Sequence, residues 1–161
     1  MAIRCPFSRF IGHGHLHGYV FQINSRGYAN ILPTSNPEDI VEGLIYLISS
    51  TDEDTLDRFE GVPKAYDKQL LVVECFQARI DLVARRVVEM IERNVVDGSF
   101  VQGRQRTGES VATLVYVSDR WTQHGKPRQE YVKRMEDGIG DALRLGLTEK
   151  YVDERVRPLL K

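Results

Sequence analysis

Residues 42–68 read EGLIYLISSTDEDTLDRFEGVPKAYDK, and this stretch decides the fold because it predicts a strand that runs directly into a helix. The apolar run from Gly43 to Ile48 has the length and composition of a short buried strand. Thr51, followed three residues later by Asp54, forms the acidic version of a capping box, which marks the start of a helix. The stretch therefore predicts a strand–turn–helix unit.

The predicted helix is short, and it ends in a carboxylate that does little for its stability. Gly61 and Pro63 close it after about two turns. Leu56 and Phe59 have helical spacing, and we expect both to face the core. Glu60 follows them in the last turn, where the helix macrodipole favours cations. A residue that breaks a local rule is a candidate for function, although a solvated helix-end glutamate is the plainer interpretation of an isolated Glu.

The rest of the chain favours strands in its first part and longer helices in its last part. β-rich runs bounded by turn signals predict strands over residues 19–23, 28–32, 69–76 and 110–117. No regular alternation of strands and helices accompanies them. The sequence therefore indicates an α+β fold on a mixed or antiparallel sheet.

Apolar residues at helical spacing predict two longer helices. One covers residues 80–94, and we expect a polar, glycine-rich loop after it over 97–109. The other carries an apolar face marked by Tyr131, Met135, Ile139 and Ala142. Residues 146–147, a Gly-Leu pair, predict a Schellman-type end for that helix. Residues 148–160 then form a last helix, with the threonine at its start as the cap.

Length and composition limit the classes of function. At 161 residues, with 42% hydrophobic and 28% charged residues, the chain is predicted to be a single domain spanning 1–161. Its net charge of −1 argues against nucleic acid or an anionic membrane as partners. The apolar runs are shorter than the ~20 residues that a membrane span needs. Because Cys5 and Cys75 are too few for a disulfide framework, we expect a cytoplasmic protein.

The run LDRFEGVP at 56–63, with Tyr66 just after it, resembles the hallmark of the gamma-glutamylcyclotransferases. In that family Leu-Asp-x-x-Glu-Gly follows a strand and a polar turn and precedes a tyrosine. Further stretches resemble the family's strands and C-terminal helices in the same order, namely 16–21, 27–31, 114–117, 130–138 and 146–151. The resemblance covers nearly the whole chain. It implies a small mixed or antiparallel, partly closed β-barrel with flanking helices and a site at one mouth.

The resemblance also implies a reaction, in which the α-amine of a γ-glutamyl compound attacks its own γ-carbonyl. The products are 5-oxoproline and a free amine or amino acid, in the metabolism of glutathione or γ-glutamyl peptides. No metal, cofactor or protein nucleophile is required, because nucleophile and electrophile share one molecule. The family's acid/base residue falls on Glu60. Burial among aromatic side chains would bring the pKa of such a carboxyl toward neutrality, as proton transfer in both directions requires.

Three tyrosines are expected to bind the substrate, because the family places tyrosines near the pocket at these points. Tyr131 is the best candidate for a direct hydrogen bond to the substrate, whereas Tyr66 and Tyr116 can also serve only as walls. A phenol offers an apolar surface and one O–H group that can orient a carboxylate or carbonyl. The alternative is that all three are core aromatics with satisfied hydroxyls. Asp57 is expected to be a solvated helix carboxylate.

The start of the chain departs from the family pattern. Family members open with a strand that leads into a Tyr-Gly-Ser-Asn loop, whose N–H groups hold the glutamyl head. This chain begins MAIRCP, which resembles the segment after that loop. We therefore expect an N-terminal strand to be missing and catalysis by the chain as written to be weak. The alternative function is a non-catalytic small-molecule binding or interaction module of the same fold. A homodimer is the oligomer that the resemblance suggests.

Three histidines alternate with other residues at the start of the strand region. On a strand, His13, His15 and His17 would share one face and could present two or three imidazoles to a metal. No Asp, Glu or Cys lies close to them in the sequence to complete a site. We therefore expect an exposed strand entry and no metal. A metal-dependent enzyme built on these histidines is the remaining alternative, and His124 is expected to lie in a surface loop.

Overall fold

The structure is a computed structural model that describes residues 4–77 and 108–161. These residues form six strands, β1 (Arg9–His17), β2 (Tyr19–Ile23), β3 (Ala29–Pro33), β4 (Ile40–Leu47), β5 (Asp67–Gln77) and β6 (Glu109–Val117). Their helices are α1 (Ser50–Glu60), α2 (Gln129–Arg144) and a C-terminal helical segment with an α part (Glu149–Tyr151), a π part (Val152–Val156) and a 3-10 part (Arg157–Leu160). The predicted helix over 80–94 lies outside the described residues, as does nearly all of the loop predicted over 97–109.

The strands form two antiparallel sheets. In the larger sheet the order is β4-β1-β5-β6, and β2 pairs with β3 in a separate hairpin. The chain passes from β1 to β2 at Gly18, whose φ of 73° lies in the left-handed region that glycine adopts at little cost. Helices flank these sheets, so the structure confirms the predicted α+β fold.

The side chain of Asn30 joins the hairpin to the far end of the larger sheet. Its Nδ2 donates to the carbonyl oxygen of Ser118 at 2.9 Å, and its Oδ1 accepts from the backbone N–H of Ser118 at 3.0 Å. Because Ser118 directly follows β6, the Asn30 amide takes the place of backbone pairing between β3 and β6. The described strands do not close into a full barrel, which agrees with the partly closed architecture that the sequence predicted.

The main core lies on one face of the larger sheet, beneath the hairpin. Its buried side chains are Leu16, Ile31, Ile45, Val73, Cys75 and Val117. Gly14 of β1 lies among them, and a Cβ at Gly14 would come within 2.5 Å of Val73 and 2.7 Å of Ile45. This glycine therefore lets the neighbouring side chains pack directly over β1. Since successive residues of a strand point to opposite faces, the histidines of β1 lie on the other face.

A second apolar cluster joins the hairpin to the C-terminal helices. Its buried members are Ile23, Ile139, Tyr151, Val152, Val156 and Leu160. Ile23 is the last residue of β2, while Ile139 lies on α2 and the other four belong to the C-terminal helical segment. The apolar face predicted for α2 therefore packs inward. Among the described residues, no helix is long and apolar enough to cross a membrane.

The Schellman end predicted for α2 and the threonine cap predicted for the last helix are both confirmed. At the end of α2, the N–H of Leu147 donates to the carbonyl oxygen of Ala142 at 3.0 Å, and Gly146 has a φ of 101°. This geometry is that of a Schellman motif. At the start of the next helix, Thr148 Oγ1 accepts from the backbone N–H of Tyr151 at 3.2 Å.

The start of α1 differs from the prediction by two residues. Ser49 is the N-cap, because its Oγ accepts from the N–H of Asp52 at 3.1 Å while the Asp52 carboxylate accepts from the N–H of Ser49 at 3.3 Å. The prediction of a box between Thr51 and Asp54 is wrong. Asp52 is buried, whereas Thr51 and Asp54 are exposed. The reciprocal pair therefore forms between Ser49 and Asp52, directly after the end of β4. The helix has 11 residues, about three turns rather than two.

The end of α1 is where the sequence predicted it. Gly61 has a φ of 69° and forms the C-cap, which stops the helix directly after Glu60. The prediction that Leu56 and Phe59 both face the core is right only for Leu56. Phe59 is 61% exposed, and the guanidinium of Arg4 lies 5.1 Å above its ring. The aromatic ring is thus covered by a cation instead of by the core.

We predict that Gly61→Ala destabilises the protein by about 1–2 kcal/mol, because a Cβ disfavours the left-handed backbone conformation. The new Cβ would also meet the Ala65 Cβ at 3.3 Å. Gly138→Ala is the matched control, since Gly138 is exposed in α2 and nothing lies within 4 Å of a Cβ there. The control should stabilise α2 by about 0.5–1 kcal/mol. Urea unfolding measures both, and an unchanged free energy of unfolding in Gly61→Ala would contradict the assigned cap.

Candidate active site

Glu60, the predicted catalytic carboxylate, is the last residue of α1 and forms an ion pair with Arg4. The Nη1 of Arg4 donates to Glu60 Oε1 at 3.2 Å. The Glu60 side chain is 28% exposed and that of Arg4 is 33% exposed. The burial that the sequence analysis expected for Glu60 is therefore partial. An acid in this position can meet a ligand arriving from solvent while a cation offsets its charge.

Arg4 is held in place by two neighbouring residues of α1. Its guanidinium stacks over Phe59, at 5.1 Å from the ring centroid, and donates to Glu60. A cation above an aromatic face is attracted by the ring quadrupole. The last turn of α1 thus positions both the carboxylate and its cation. Arg4 could not be predicted as its partner from the sequence, because 56 positions separate it from Glu60 and no local pattern links them.

Tyr131 lies in the first turn of α2 and keeps a donor free. Its hydroxyl oxygen accepts from the backbone N–H of Ala29 at 3.3 Å. Among the described residues no acceptor takes the O–H of Tyr131. The ring meets Tyr28 edge-on, with 5.1 Å between ring centroids, and carries Arg134 on its face at 5.2 Å. These contacts fix the ring, so the free O–H has a defined position.

The hydroxyl of Tyr66 forms two hydrogen bonds within the fold, which the sequence did not indicate. Its hydroxyl donates to the carbonyl oxygen of Ala29 at 2.6 Å and accepts from Asn24 Nδ2 at 3.2 Å. Asn24 is fully buried, and its Oδ1 accepts from the backbone N–H groups of Arg26 and Tyr28 in the hairpin turn. The Tyr66 hydroxyl therefore supports the hairpin. Tyr66 and Tyr131 bind the two backbone groups of the same residue, Ala29.

Tyr116 belongs to a charged network on the flank of α1. Its hydroxyl donates to Asp57 Oδ1 at 2.8 Å. Lys68 Nζ contacts the other oxygen of Asp57 at 2.8 Å and Glu53 Oε1 at 2.7 Å. Asp57 is therefore not the freely solvated carboxylate that the sequence analysis expected, because its two oxygens have partners one helical turn before Glu60. Lys68 was missed, since nothing in the sequence distinguishes it from a surface lysine.

The charge of Glu60 is a minor contribution to the raised pKa values of three tyrosines, which links these four residues into one unit. Burial raises the pKa of Tyr66, Tyr131 and Tyr116, and the negative charge of Glu60 contributes to the increase in all three. For Tyr116 the hydrogen bond to Asp57 is the second cause. The three phenols are therefore neutral at physiological pH. They can orient a ligand through hydrogen bonds, but they cannot act as bases.

Asp57 and Glu60 are the two carboxylates near these tyrosines, and their different surroundings favour different roles. The hydrogen bond from Lys68, followed by the hydrogen bond from Tyr116, lowers the pKa of Asp57 below its ordinary value of 3.8. Asp57 is therefore held ionised and cannot serve as a proton donor near neutral pH. Glu60 has one ion pair and remains accessible. Glu60 is thus the better candidate for a group that takes up and returns a proton.

The histidines of β1 lie apart from this unit, on the outer face of the larger sheet. The rings of His13 and His15 pack against Phe76, with centroid distances of 5.1 Å and 4.8 Å. Burial, followed by the neighbouring charge of His15, lowers the pKa of His13. His17 is exposed and contacts Glu74 at 3.0 Å. The three histidines were expected to be exposed at the start of a strand, but only His17 is exposed.

Comparison with known proteins gives one family match and related folds. A family model described as "Gamma-glutamyl cyclotransferase, AIG2-like" matches residues 3–133. A solved structure described as "Gamma-glutamyl cyclotransferase" has a TM-score of 0.64 at 17% identity, covering 95% of this chain and 76% of that chain. A crystal structure of an uncharacterized protein from Homo sapiens gives the same TM-score and coverage at 18% identity. A search of the curated proteins found no match.

We predict that Tyr66→Phe lowers the free energy of unfolding by about 1–3 kcal/mol, since it leaves the buried Asn24 amide without its acceptor. Tyr131→Phe is the matched control, because its hydroxyl receives a single weaker bond from the Ala29 N–H. The control should cost less than Tyr66→Phe in urea unfolding. Equal losses would mean that the two hydroxyls have the same structural role.

We also predict a pH dependence of stability from Asp57. Its pKa is lower in the folded protein than the ordinary value of 3.8, so its contribution is present above that pH and is lost as the pH falls through the folded value. Asp57→Asn should therefore be less stable than the parent at pH 7, and the difference should shrink below about pH 4. Asp54→Asn, at an exposed position of the same helix, is the control. The measurement is a series of thermal melts between pH 7 and pH 3. If the melting temperatures of both variants equal that of the parent at every pH, Asp57 does not contribute to stability as predicted.

Proposed function

The chain belongs to the gamma-glutamyl cyclotransferase, AIG2-like family, and from that membership we propose that it converts a γ-glutamyl amide into 5-oxoproline and a free amine or amino acid. The observation that carries the proposal is the position of Glu60. It ends α1 beside Arg4, whose Nη1 donates to Glu60 Oε1 at 3.2 Å. Carboxylate, cation and neutral phenols are the groups that this chemistry uses.

The proposed reaction is an intramolecular aminolysis with Glu60 as the proton carrier. Glu60 takes a proton from the substrate's α-ammonium, and the freed amine attacks the γ-carbonyl carbon. The new bond joins the α-nitrogen to that carbon and closes the five-membered ring. The bond to the leaving nitrogen then breaks as Glu60 returns the proton to it, and the second proton that the ring nitrogen loses ends on the released amine. Atoms balance without water, and a positioned acid/base of this kind contributes about 10²–10⁴-fold.

Holding the substrate in a ring-like pose is the other part of catalysis. We propose that the free O–H of Tyr131 donates to an oxygen of the glutamyl group, since its ring is fixed and its donor has no acceptor among the described residues. Tyr66 and Tyr116 wall the site instead, because Ala29 and Asp57 accept their hydroxyl protons. Correct orientation of the reacting atoms lowers the barrier further, because it removes the conformational freedom of the glutamyl chain.

Arg4 is proposed to bind the α-carboxylate of the substrate. Its guanidinium donates to Glu60 through one nitrogen, Nη1. Arginine presents five N–H donors in a planar fork and forms paired hydrogen bonds with carboxylates. A carboxylate held there would place the adjacent α-ammonium near the Glu60 carboxylate. The ion pair in the structure would thus become part of a three-way contact with substrate.

The setting that fits this reaction is a single-domain protein over 1–161 acting on a small molecule in the cytoplasm. Cys5 and Cys75 are both free and buried, and thiols remain reduced in the cytoplasm that we propose. The chemistry as written calls for neither metal nor redox cofactor, because one substrate molecule provides the nucleophile and the electrophile.

The test is 5-oxoproline release from γ-glutamyl dipeptides, γ-glutamyl amines and glutathione. We predict that Glu60→Gln lowers the rate by about 10²-fold or more, since an amide cannot carry the proton. Asp54→Asn makes the equivalent change at an exposed position of the same helix and should retain the parental rate. Thermal melts confirm that both variants are folded. A folded Glu60→Gln protein with parental activity would refute the assignment of Glu60. A parent that binds the panel without releasing 5-oxoproline would favour a binding module.

A further inference from the structure

The outer face of β1 gains two carboxylates from strands that are distant in the sequence. In the register of the larger sheet, His15 lies opposite Glu42 of β4 and opposite Glu74 of β5. Residues directly opposite each other on antiparallel strands have side chains on the same face. His17 is on that face too, two residues further along β1. Strand pairing therefore brings Glu42 and Glu74 next to the histidines, although no acidic residue lies near the histidines in the sequence.

The potential ligand atoms of His15, His17 and Glu74 all lie within 4.8 Å of one another. Nε2 of His17 is 3.0 Å from Glu74 Oε2. Nε2 of His15 is buried and has no hydrogen-bond partner among the described residues. Its contact with Glu42 Oε1, at 4.0 Å, is too long for a hydrogen bond. Leaving a buried polar atom unpaired costs free energy, so this nitrogen calls for a partner that the described side chains do not provide.

We propose that His15, His17 and Glu74 form a binding site for a divalent transition-metal ion, with zinc as the best match. Two imidazoles and one carboxylate are ligands that zinc takes at about 2.0–2.2 Å. Ligand atoms around such an ion lie about 3–3.5 Å apart. The 3.0 Å between His17 Nε2 and Glu74 Oε2 fits this spacing, and the ion would replace the hydrogen bond between these two groups.

The ion would fill the space beside the unpaired His15 nitrogen after a small adjustment of the other two ligands. His17 and Glu74 have side chains that are 51% and 37% exposed, so their rotamers can change at little cost. The His15 ring is more fixed, because it packs against Phe76 at 4.8 Å. One anchored ligand and two adjustable ones allow the cluster to close around an ion.

Glu42 would support this site electrostatically. Its two carboxylate oxygens accept from the backbone N–H and the hydroxyl of Thr148, at 2.8–3.1 Å, which fixes the carboxylate beside His15. A fixed negative charge near the cluster favours a bound cation. With three protein ligands, a fourth position would stay open to water or to an external ligand.

This site is separate from the proposed reaction centre, since none of its three ligands contacts Glu60, Tyr66 or Tyr131 in the described residues. The ion would link β1 to β5 in the middle of the larger sheet. A ligand that binds only the folded state raises its stability by mass action. Zinc binding should therefore be visible as a raised melting temperature without any reference to catalysis.

The experiment uses the full chain, free of any polyhistidine tag and stripped with chelator, titrated with zinc in a calorimeter. We expect binding of about one ion per chain and a raised melting temperature in excess zinc. His15→Gln, His17→Gln and Glu74→Gln should each weaken binding by about tenfold or more. His124→Gln is the matched control, because His124 is exposed in a loop and should leave binding unchanged.

His17 and Glu74 are partly exposed, so the site can be tested even if a substitution at His15 prevents folding. If His15→Gln fails to fold, His17→Gln and Glu74→Gln still test the site from its solvent side. Cobalt(II) absorption then reports directly on imidazole coordination in the parent and its loss in the variants. Zinc binding that is unchanged in both His17→Gln and Glu74→Gln would overturn the proposal. No zinc binding by the folded parent, or binding that only His124→Gln removes, would overturn it as well.

Discussion

The left-handed backbone at Gly61 is the constraint on which the rest of the site depends. It stops α1 directly after Glu60, so the carboxylate stands at the helix end. The capping box between Ser49 and Asp52 fixes the other end of the same helix, directly after β4. With both ends defined, the last turn presents Phe59 and Glu60 together. These two side chains then hold Arg4, which arrives from a distant part of the chain.

Hydrogen bonding to the backbone divides the roles of the tyrosines. Ala29 is bonded through its carbonyl to Tyr66 and through its N–H to Tyr131, so one residue of β3 positions two rings. The Tyr66 hydroxyl donates its proton to the backbone of Ala29, whereas the Tyr131 hydroxyl has no acceptor among the described residues. Burial raises the pKa of both phenols, which keeps them neutral. The candidate site therefore combines one positioned donor, the Tyr131 hydroxyl, with the Glu60 carboxylate.

Sequence could predict the elements whose signals are local. The strand runs, the Schellman end at Gly146 and the Thr148 cap follow from residue type and spacing, and the structure confirms them. The start of α1 was misplaced because Ser49–Asp52 and Thr51–Asp54 have the same spacing, and only burial distinguishes Asp52. Phe59 was misplaced since a helical period cannot show that a cation covers the exposed side.

What could not be predicted arises from contacts between distant segments. Arg4 meets Glu60 across 56 positions, and Tyr116 meets Asp57 across 59. Glu74 reaches His17 only through the pairing of β1 with β5. Such juxtapositions depend on strand register, which a single sequence leaves open. The family motif predicts Glu60 as the acid/base residue, but the charges that surround it became visible only once the chain was folded.

The most direct test of this account is a crystal structure of the protein with 5-oxoproline bound. If the end of α1 is the reaction centre, the ring should lie within hydrogen-bonding distance of the Glu60 carboxylate and the Tyr131 hydroxyl. The 5-oxoproline carboxylate should then accept from the Arg4 guanidinium. A ring bound elsewhere, with Arg4 still paired to Glu60 and the Tyr131 hydroxyl without ligand, would contradict the account.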